Sequence, residues 1–205
     1  MKRLPAIMII GAVSTVAAAC GSDHNDMDMG SGTTAASAAN ATTASAPGDQ
    51  ASFNDADVAF AQGMIPHHQQ AVEMAELALD PTREASAEVV DLATRIQAAQ
   101  DPEIQLMTGW LDAWGQPMEM DMAEGDMGSM EGMMSEEDMA ALAAASGTDF
   151  DRMWLEMMTA HHQGAVKMAE TEQTAGMDPD AIALAGQIIA AQQAEIEEMR
   201  GLLEG

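Results

Sequence analysis

The chain is predicted to be all-α, a bundle of two tandem helical hairpins with one short extra helix. Three observations predict this: an internal repeat, apolar residues spaced by three and four, and helix-ending signals where the spacing breaks. The repeat decides the architecture. Met64-Ile65-Pro66-His67-His68-Gln69-Gln70-Ala71-Val72-Glu73-Met74-Ala75-Glu76 aligns, at a shift of 94, with Met158-Thr159-Ala160-His161-His162-Gln163-Gly164-Ala165-Val166-Lys167-Met168-Ala169-Glu170. Asp57 and Phe60 then fall opposite Asp151 and Trp154. At a shift of 92, Leu92, Ile96, Gln100, Glu103, Ile104, Met107 and Leu111 meet Leu184, Ile188, Gln192, Glu195, Ile196, Met199 and Leu203. A two-helix unit cannot bury its own apolar stripe, and a second copy supplies the missing surface.

Before the first repeat lie two segments of other composition. Residues 1–20 read as a lipoprotein signal peptide: Lys2 and Arg3 give a positive start, Leu4 to Val16 an apolar run, and Ala17-Ala18-Ala19 the small residues before a cleavage point. Cys20, the only cysteine, follows directly and is the expected lipidation site, although Ala17 stands where such signals usually carry Leu. Residues 21–52 are Ala, Ser, Thr, Asn and Gly with almost nothing to bury, and are expected to be a flexible tether. Its start, Asp23-His24-Asn25-Asp26-Met27-Asp28-Met29, reads either as a loose metal-catching tag or as plain polar tether. The expected location is therefore the outer face of a bacterial membrane, held by the lipid anchor alone.

The bundle domain is expected over 53–205, with hairpins at 53–115 and 148–205. In the first helix Phe60, Met64, His67, Ala71, Met74 and Ala78 step by four and three, with His68 beside them, so both histidines face inward. In the second, Val89, Ile96, Glu103 and Trp110 recur every seven residues, which places a carboxylate on an apolar stripe. Pro66 removes a hydrogen bond and predicts a kink that its repeat partner Ala160 lacks. Asp178-Pro179 reads as an N-cap with Pro at the first helical position, Gly176 as the end of the preceding helix, and Thr148-x-x-Asp151 and Ser135-x-x-Asp138 as capping boxes. A Met-rich acidic loop at 116–134 and a short helix at 135–146 join the hairpins. From Met118 to Met139, eight methionines alternate with eight acids and no basic residue, a pattern without helical or strand period that predicts an exposed, mobile loop.

Bulk properties bound the partners. A chain of 205 residues, less its leader and tether, suits one domain with a single core. Seven Lys+Arg against 34 Asp+Glu give a net charge of -27, which repels polyanions and excludes nucleic acid as a partner. Beyond the leader no apolar run is long enough for a membrane span.

Four of the five histidines lie in the two repeated pairs. In an antiparallel hairpin, residues equidistant from the turn are neighbours. His67 with Glu103 and His161 with Glu195 have midpoints at residues 85 and 178, both in predicted turns, and Met64 with Met107 and Met158 with Met199 have midpoints half a residue away, at 85.5 and 178.5. Met, His and Glu are thus expected to converge in each hairpin. Two readings of that convergence stand open. A His–Glu hydrogen-bonded cluster would fix helix register without any ligand. A metal site in the bundle interior would use His67, His68, His161, His162, Glu103, Glu195, Met64, Met107, Met158 and Met199. Thioether and imidazole favour copper, as Cu(I) or Cu(II), over Mg, Ca or Mn, and His with Glu also suits zinc.

These paired motifs resemble the bacterial secreted family known as domain of unknown function 305, from about Ala51 to Gly205. The resemblance implies a ferritin-like four-helix bundle and, for some members, copper binding and copper tolerance in the cell envelope. It carries the His pairs, Met107 and Met199 over position by position and implies no agreed activity. The function expected is an envelope-anchored protein that sequesters or handles copper, with the Met-rich loop as a collector. A ligand-free adaptor lipoprotein is the alternative. Di-iron oxidoreductase chemistry is disfavoured because Met64 and Met158 stand where the Glu-x-x-His motif needs Glu. Nothing arranged as Ser/His/Asp or Cys/His points to hydrolysis.

Overall fold

The computed structural model describes residues 52–119 and 131–205. The signal segment with Cys20, the tether up to residue 51, and Met120, Met122, Met127 and Met130 lie outside the described residues. Within them the chain is all helical, with α1 at Asp55–Leu79, α2 at Ala87–Trp114, a short α3 at Glu136–Ala144, α4 at Gly147–Ala175 and α5 at Pro179–Glu204. A single 3-10 turn, Pro81–Arg83, joins α1 to α2. No described helix is long and apolar enough to cross a membrane.

The helix ends follow from local chemistry. Asn54 accepts the Ala56 and Asp57 N–H groups while the Asp57 carboxylate accepts the Asn54 N–H, a reciprocal cap for α1. Ser86 caps α2, and Gly115, at φ 67°, ends it in the left-handed region that glycine enters without penalty. Ser135 with Asp138 starts α3, and Asp178 with Pro179 starts α5, both as expected. The box expected at Thr148 is not formed. α4 begins at Gly147, with Ser146 at the cap position and no side-chain cap bond. Asp151 is engaged elsewhere: its carboxylate accepts the Ser86 N–H at 3.0 and 3.2 Å, at the start of α2. Asp57 does the same in the other direction, accepting the Met177 and Asp178 N–H groups, each at 2.9 Å. Each hairpin's first helix thereby clasps the other hairpin's turn.

α1 packs on α2, α4 on α5, and the two hairpins meet along α1 and α4. The apolar interior falls into two clusters. One holds Met74, Leu92, Ile96, Trp154, Met158 and Met199, and the other Phe60, Met64, Met107, Leu111, Ala165 and Ile188. Trp154 donates its indole N–H to the Met74 carbonyl at 2.9 Å, so the largest buried side chain leaves no stranded donor. α1 runs unbroken through Pro66, and α2 likewise contains Pro102.

The expectation of an exposed loop from Met118 to Met139 holds at Met118 and fails at its far end. Met134 and Met139 pack against the core, Met139 from within α3 at Glu136–Ala144, the short helix expected at 135–146. Two tertiary partners override the polar composition there: the core surface beneath Met134 and Met139, and Gln70, which binds the Met134 backbone.

Candidate metal centre

Between the two apolar clusters lies a polar layer, because the residues at the middle of each long helix are neither leucine nor valine but His, Gln and Glu. His67 and His68 come from α1, Gln100 and Glu103 from α2, His161 and His162 from α4, and Gln192 and Glu195 from α5. All four imidazoles are buried, none more than 1 % exposed.

Within each hairpin the second histidine of the pair meets the carboxylate. His68 Nε2 lies 2.7 Å from Glu103 Oε2, and His162 Nε2 lies 2.8 Å from Glu195 Oε2. The first histidines face one another across the hairpin interface, with the His67 and His161 ring centroids 3.8 Å apart and the planes tilted by 42°. This corrects the expected pairing of His67 with Glu103 and His161 with Glu195. Neighbouring residues on a helix point about 100° apart, so a one-residue error in the midpoint exchanges the partner within the hairpin for the partner across it.

Hydrogen-bond accounting separates the two kinds of histidine. When Nε2–H donates to the carboxylate, His68 and His162 keep a bare Nδ1, and neither Nδ1 has a partner. In His67 and His161 both ring nitrogens are unpartnered. Burial, then the neighbouring His68, hold the His67 pKa down at about 3. His161 is held well below the usual imidazole value by burial first and then by His67, His162 and His68. Burial also lowers His162, against the opposing pull of Glu195. These three imidazoles are therefore neutral at pH 7 and present lone pairs rather than charge. Gln100 and Gln192, buried one turn before each Glu, also carry an unpartnered Oε1.

The methionines named from sequence are all fully buried, but they divide. Met64 and Met107 line the cluster on one side of the polar layer, and Met158 and Met199 the other. Antiparallel pairing of α1 with α4 produces this division, since each Met precedes its His by three residues. Among the described residues, no group of three or more His, Cys, Asp or Glu is arranged to hold a metal ion. What the layer offers instead is a facing pair of free imidazoles flanked by two His–Glu pairs.

Three buried carboxyl groups form a cluster that the sequence does not reveal, although Asp178 reads there as an N-cap and Asp57 as a repeat position. Asp57, Glu172 and Asp178 gather where the start of α1 meets the α4–α5 turn, each nearly inaccessible. Burial first, and then its contact with Asp57, push Glu172 up to about 8, so this carboxyl keeps its proton at neutral pH. Its repeat counterpart is Ala78, and that mismatch is the one sequence signal that would have exposed it.

A duplicated hairpin bundle with a histidine-rich middle layer defines the class of protein. The chain belongs to the DUF305 family, a domain of unknown function whose model matches residues 57–203. It is similar to a DUF305 protein from Streptomyces coelicolor described as secreted, at 33% identity and TM-score 0.66 over 73% of this chain and 92% of that one. A DUF305 fragment from Deinococcus radiodurans matches at 34% identity and TM-score 0.66, covering 74% and 97%. CopM in its Cu(I)-bound form matches at 33% identity and TM-score 0.60, covering 72% and 95%, and its Cu(II)-bound form has also been solved. No curated protein is significantly similar to the chain.

Proposed function

We propose that this chain is an exported, lipid-anchored copper-binding protein that holds the metal in the polar middle layer of its bundle. The observation that carries the reading is the His67–His161 pair, two neutral buried imidazoles in contact with all four ring nitrogens unpartnered. A buried polar atom without a partner costs about 1–3 kcal/mol, and a bound ion would supply the missing partner. Imidazole nitrogen with thioether sulfur nearby fits copper, and a soft monovalent ion with a low coordination number needs no cage of three charged ligands. His67 and His161 would hold the ion, with Met64, Met107, Met158 and Met199 on either side of the layer. Copper forms of CopM support the reading by likeness.

The short contacts to Glu103 and Glu195 favour a second role for the other histidines. His68 and His162 are already engaged, and they fix the register of each hairpin and orient the layer. Glu103 and Glu195, partly exposed at their outer edges, connect that layer to solvent. The Met-rich acidic segment would collect copper at lower affinity.

Protein purified without added metal and titrated with Cu(I), Cu(II) and zinc tests the site. The double variant His67→Gln, His161→Gln is expected to lose the tightest copper and the copper-induced rise in melting temperature, while remaining folded. An unchanged affinity in the folded double variant would place the copper elsewhere. Anchoring is tested separately: Cys20→Ala is expected to move the protein from the membrane to the soluble fraction, and retention in the membrane would refute lipidation at that residue.

A further inference from the structure

A buried pair of histidines poses a problem of access. His67 and His161 are 0% and 1% exposed, so no hydrated ion reaches them unless something moves. One segment lies against the stretches of α1 and α4 that carry them. Gln70 and Gly164 stand three residues after His67 and His161, one turn further along the same face of α1 and α4. Both hold the segment Glu131–Met134. Gln70 Nε2–H donates to the Met134 carbonyl at 2.9 Å, and Gln70 Oε1 accepts the Met134 N–H at 2.7 Å.

At Gly164 the segment lies directly on the helix backbone. A Cβ at position 164 would stand 1.9 Å from the Glu131 carbonyl oxygen and 2.9 Å from the Gly132 Cα. Gly132 itself, at φ 88°, has room for no side chain: a Cβ there would meet the Ala160 oxygen at 2.9 Å and the His161 oxygen at 3.0 Å. Lys167 pairs with the Glu131 carboxylate. The Glu131 backbone lies beside the His67 ring, near enough to favour its protonated form, yet not placed to satisfy either ring nitrogen. Gln70 and Gly164 are aligned positions of the repeat that have diverged into two halves of one clamp, one supplying hydrogen bonds and the other supplying space.

We propose that Glu131–Met134 is a strap closing the His67–His161 pair, and that its release from Gly164 and Gln70 is the step that admits and discharges a metal ion. The assignment of the cargo rests on the copper reading of the site; the covering role does not. Two neutral hydrogen bonds, one exposed ion pair and the packing of the half-buried Met134 against the core hold the strap, less than holds the long helices together. It lifts, therefore, without the bundle parting.

The test uses full-length Gly164→Ala, which forces the strap outward, and Gln70→Ala, which removes its hydrogen bonds without adding bulk. Gly109→Ala, where a Cβ meets nothing within 4 Å, is the control. In metal-free protein, modification of His67 and His161 by diethyl pyrocarbonate, located by mass spectrometry, is expected to speed up at least tenfold in both strap variants and not in the control. His24, in the N-terminal segment, serves as the internal reference. In stopped-flow mixing with Cu(I), both association and dissociation rates are expected to rise together, with little change in the equilibrium constant. Unchanged modification rates in both folded variants would overturn the strap. Faster modification with unchanged copper rates would overturn the gating role. A wild-type chain that binds no copper would refute the site reading alone, and the modification rates would still decide whether the strap covers the pair.

Discussion

The two hairpins share a middle and differ at their edges. His–Glu pairs at 2.7 and 2.8 Å, a buried Gln one turn before each Glu, and an Asp that clasps the opposite turn recur in both halves. Gln70 against Gly164, Ala78 against Glu172 and Pro66 against Ala160 do not. Two of these differences fall where a hairpin meets something that occurs once: the linking segment at Gln70 and Gly164, and the start of α1 at Glu172. Duplication fixes the chemistry of the layer, while single-copy neighbours set the asymmetry around it.

The largest consequence concerns pH. Glu172 has its folded-state pKa raised to about 8 by burial and by Asp57, so its contribution to stability is complete below its unfolded value and is lost as pH rises through 8. His67 and His161 have lowered folded-state values, so their contribution is present above pH 6.5 and is lost as pH falls below it. The Glu172 loss begins above its unfolded value of 4.5 and the histidine loss begins below 6.5, so the two overlap and stability is expected to peak where their slopes cancel, at about pH 6–7. Denaturation by urea from pH 5 to pH 9 measures both. Glu172→Gln should flatten the alkaline limb by about 2–4 kcal/mol and leave the acid limb, which His67→Gln with His161→Gln should flatten instead. An alkaline limb that survives Glu172→Gln would show that the proton sits elsewhere.

Next in size is the difference between the two clasps. Asp57 is fully buried and accepts three backbone N–H groups, those of Asn54, Met177 and Asp178. Asp151 is only partly buried and accepts one, that of Ser86. At pH 5.5, where Glu172 is protonated, Asp57→Ala is expected to cost about 2–3 kcal/mol and Asp151→Ala about 1 kcal/mol. Equal losses would mean that the two clasps contribute alike despite their different burial.

Much of this was legible in the chain itself. Apolar spacing and the repeat located four long helices, and Ser135, Asp178 and Pro179 marked ends correctly because capping is chemistry between neighbours. The Thr148 box failed because Asp151 is drawn 65 residues away to Ser86, a contact that no local window contains. For the site, midpoint arithmetic found the right level and the right carboxylates. It could not choose between His67 and His68, which differ by one residue in level and by about 100° in direction. The strap was hidden for a different cause. Composition made 131–134 look like the acidic stretch before it, and only the tertiary approach to Gly164 shows that the segment is seated.

The smallest expected effect is also the one most sensitive to what fills the layer. Gln100 and Gln192 are 3% and 4% exposed, and each Oε1 is without a partner. Methionine has nearly the same shape as glutamine and no strong acceptor, so Gln100→Met or Gln192→Met removes a stranded oxygen and adds little strain. In metal-free protein each change is expected to be neutral or to stabilise by up to about 1 kcal/mol, equally in the two halves, because the surroundings are repeated. A loss of stability in both would show that the oxygens are satisfied by ordered water bridging to the imidazoles. A loss in one half alone would carry the asymmetry of the edges into the layer itself, and would point to the hairpin whose histidine draws the ion first. Thermal melts of both variants with and without Cu(I) separate these outcomes, since a glutamine that orders the copper site reduces the copper-induced rise when it is replaced, whatever it does to the metal-free protein.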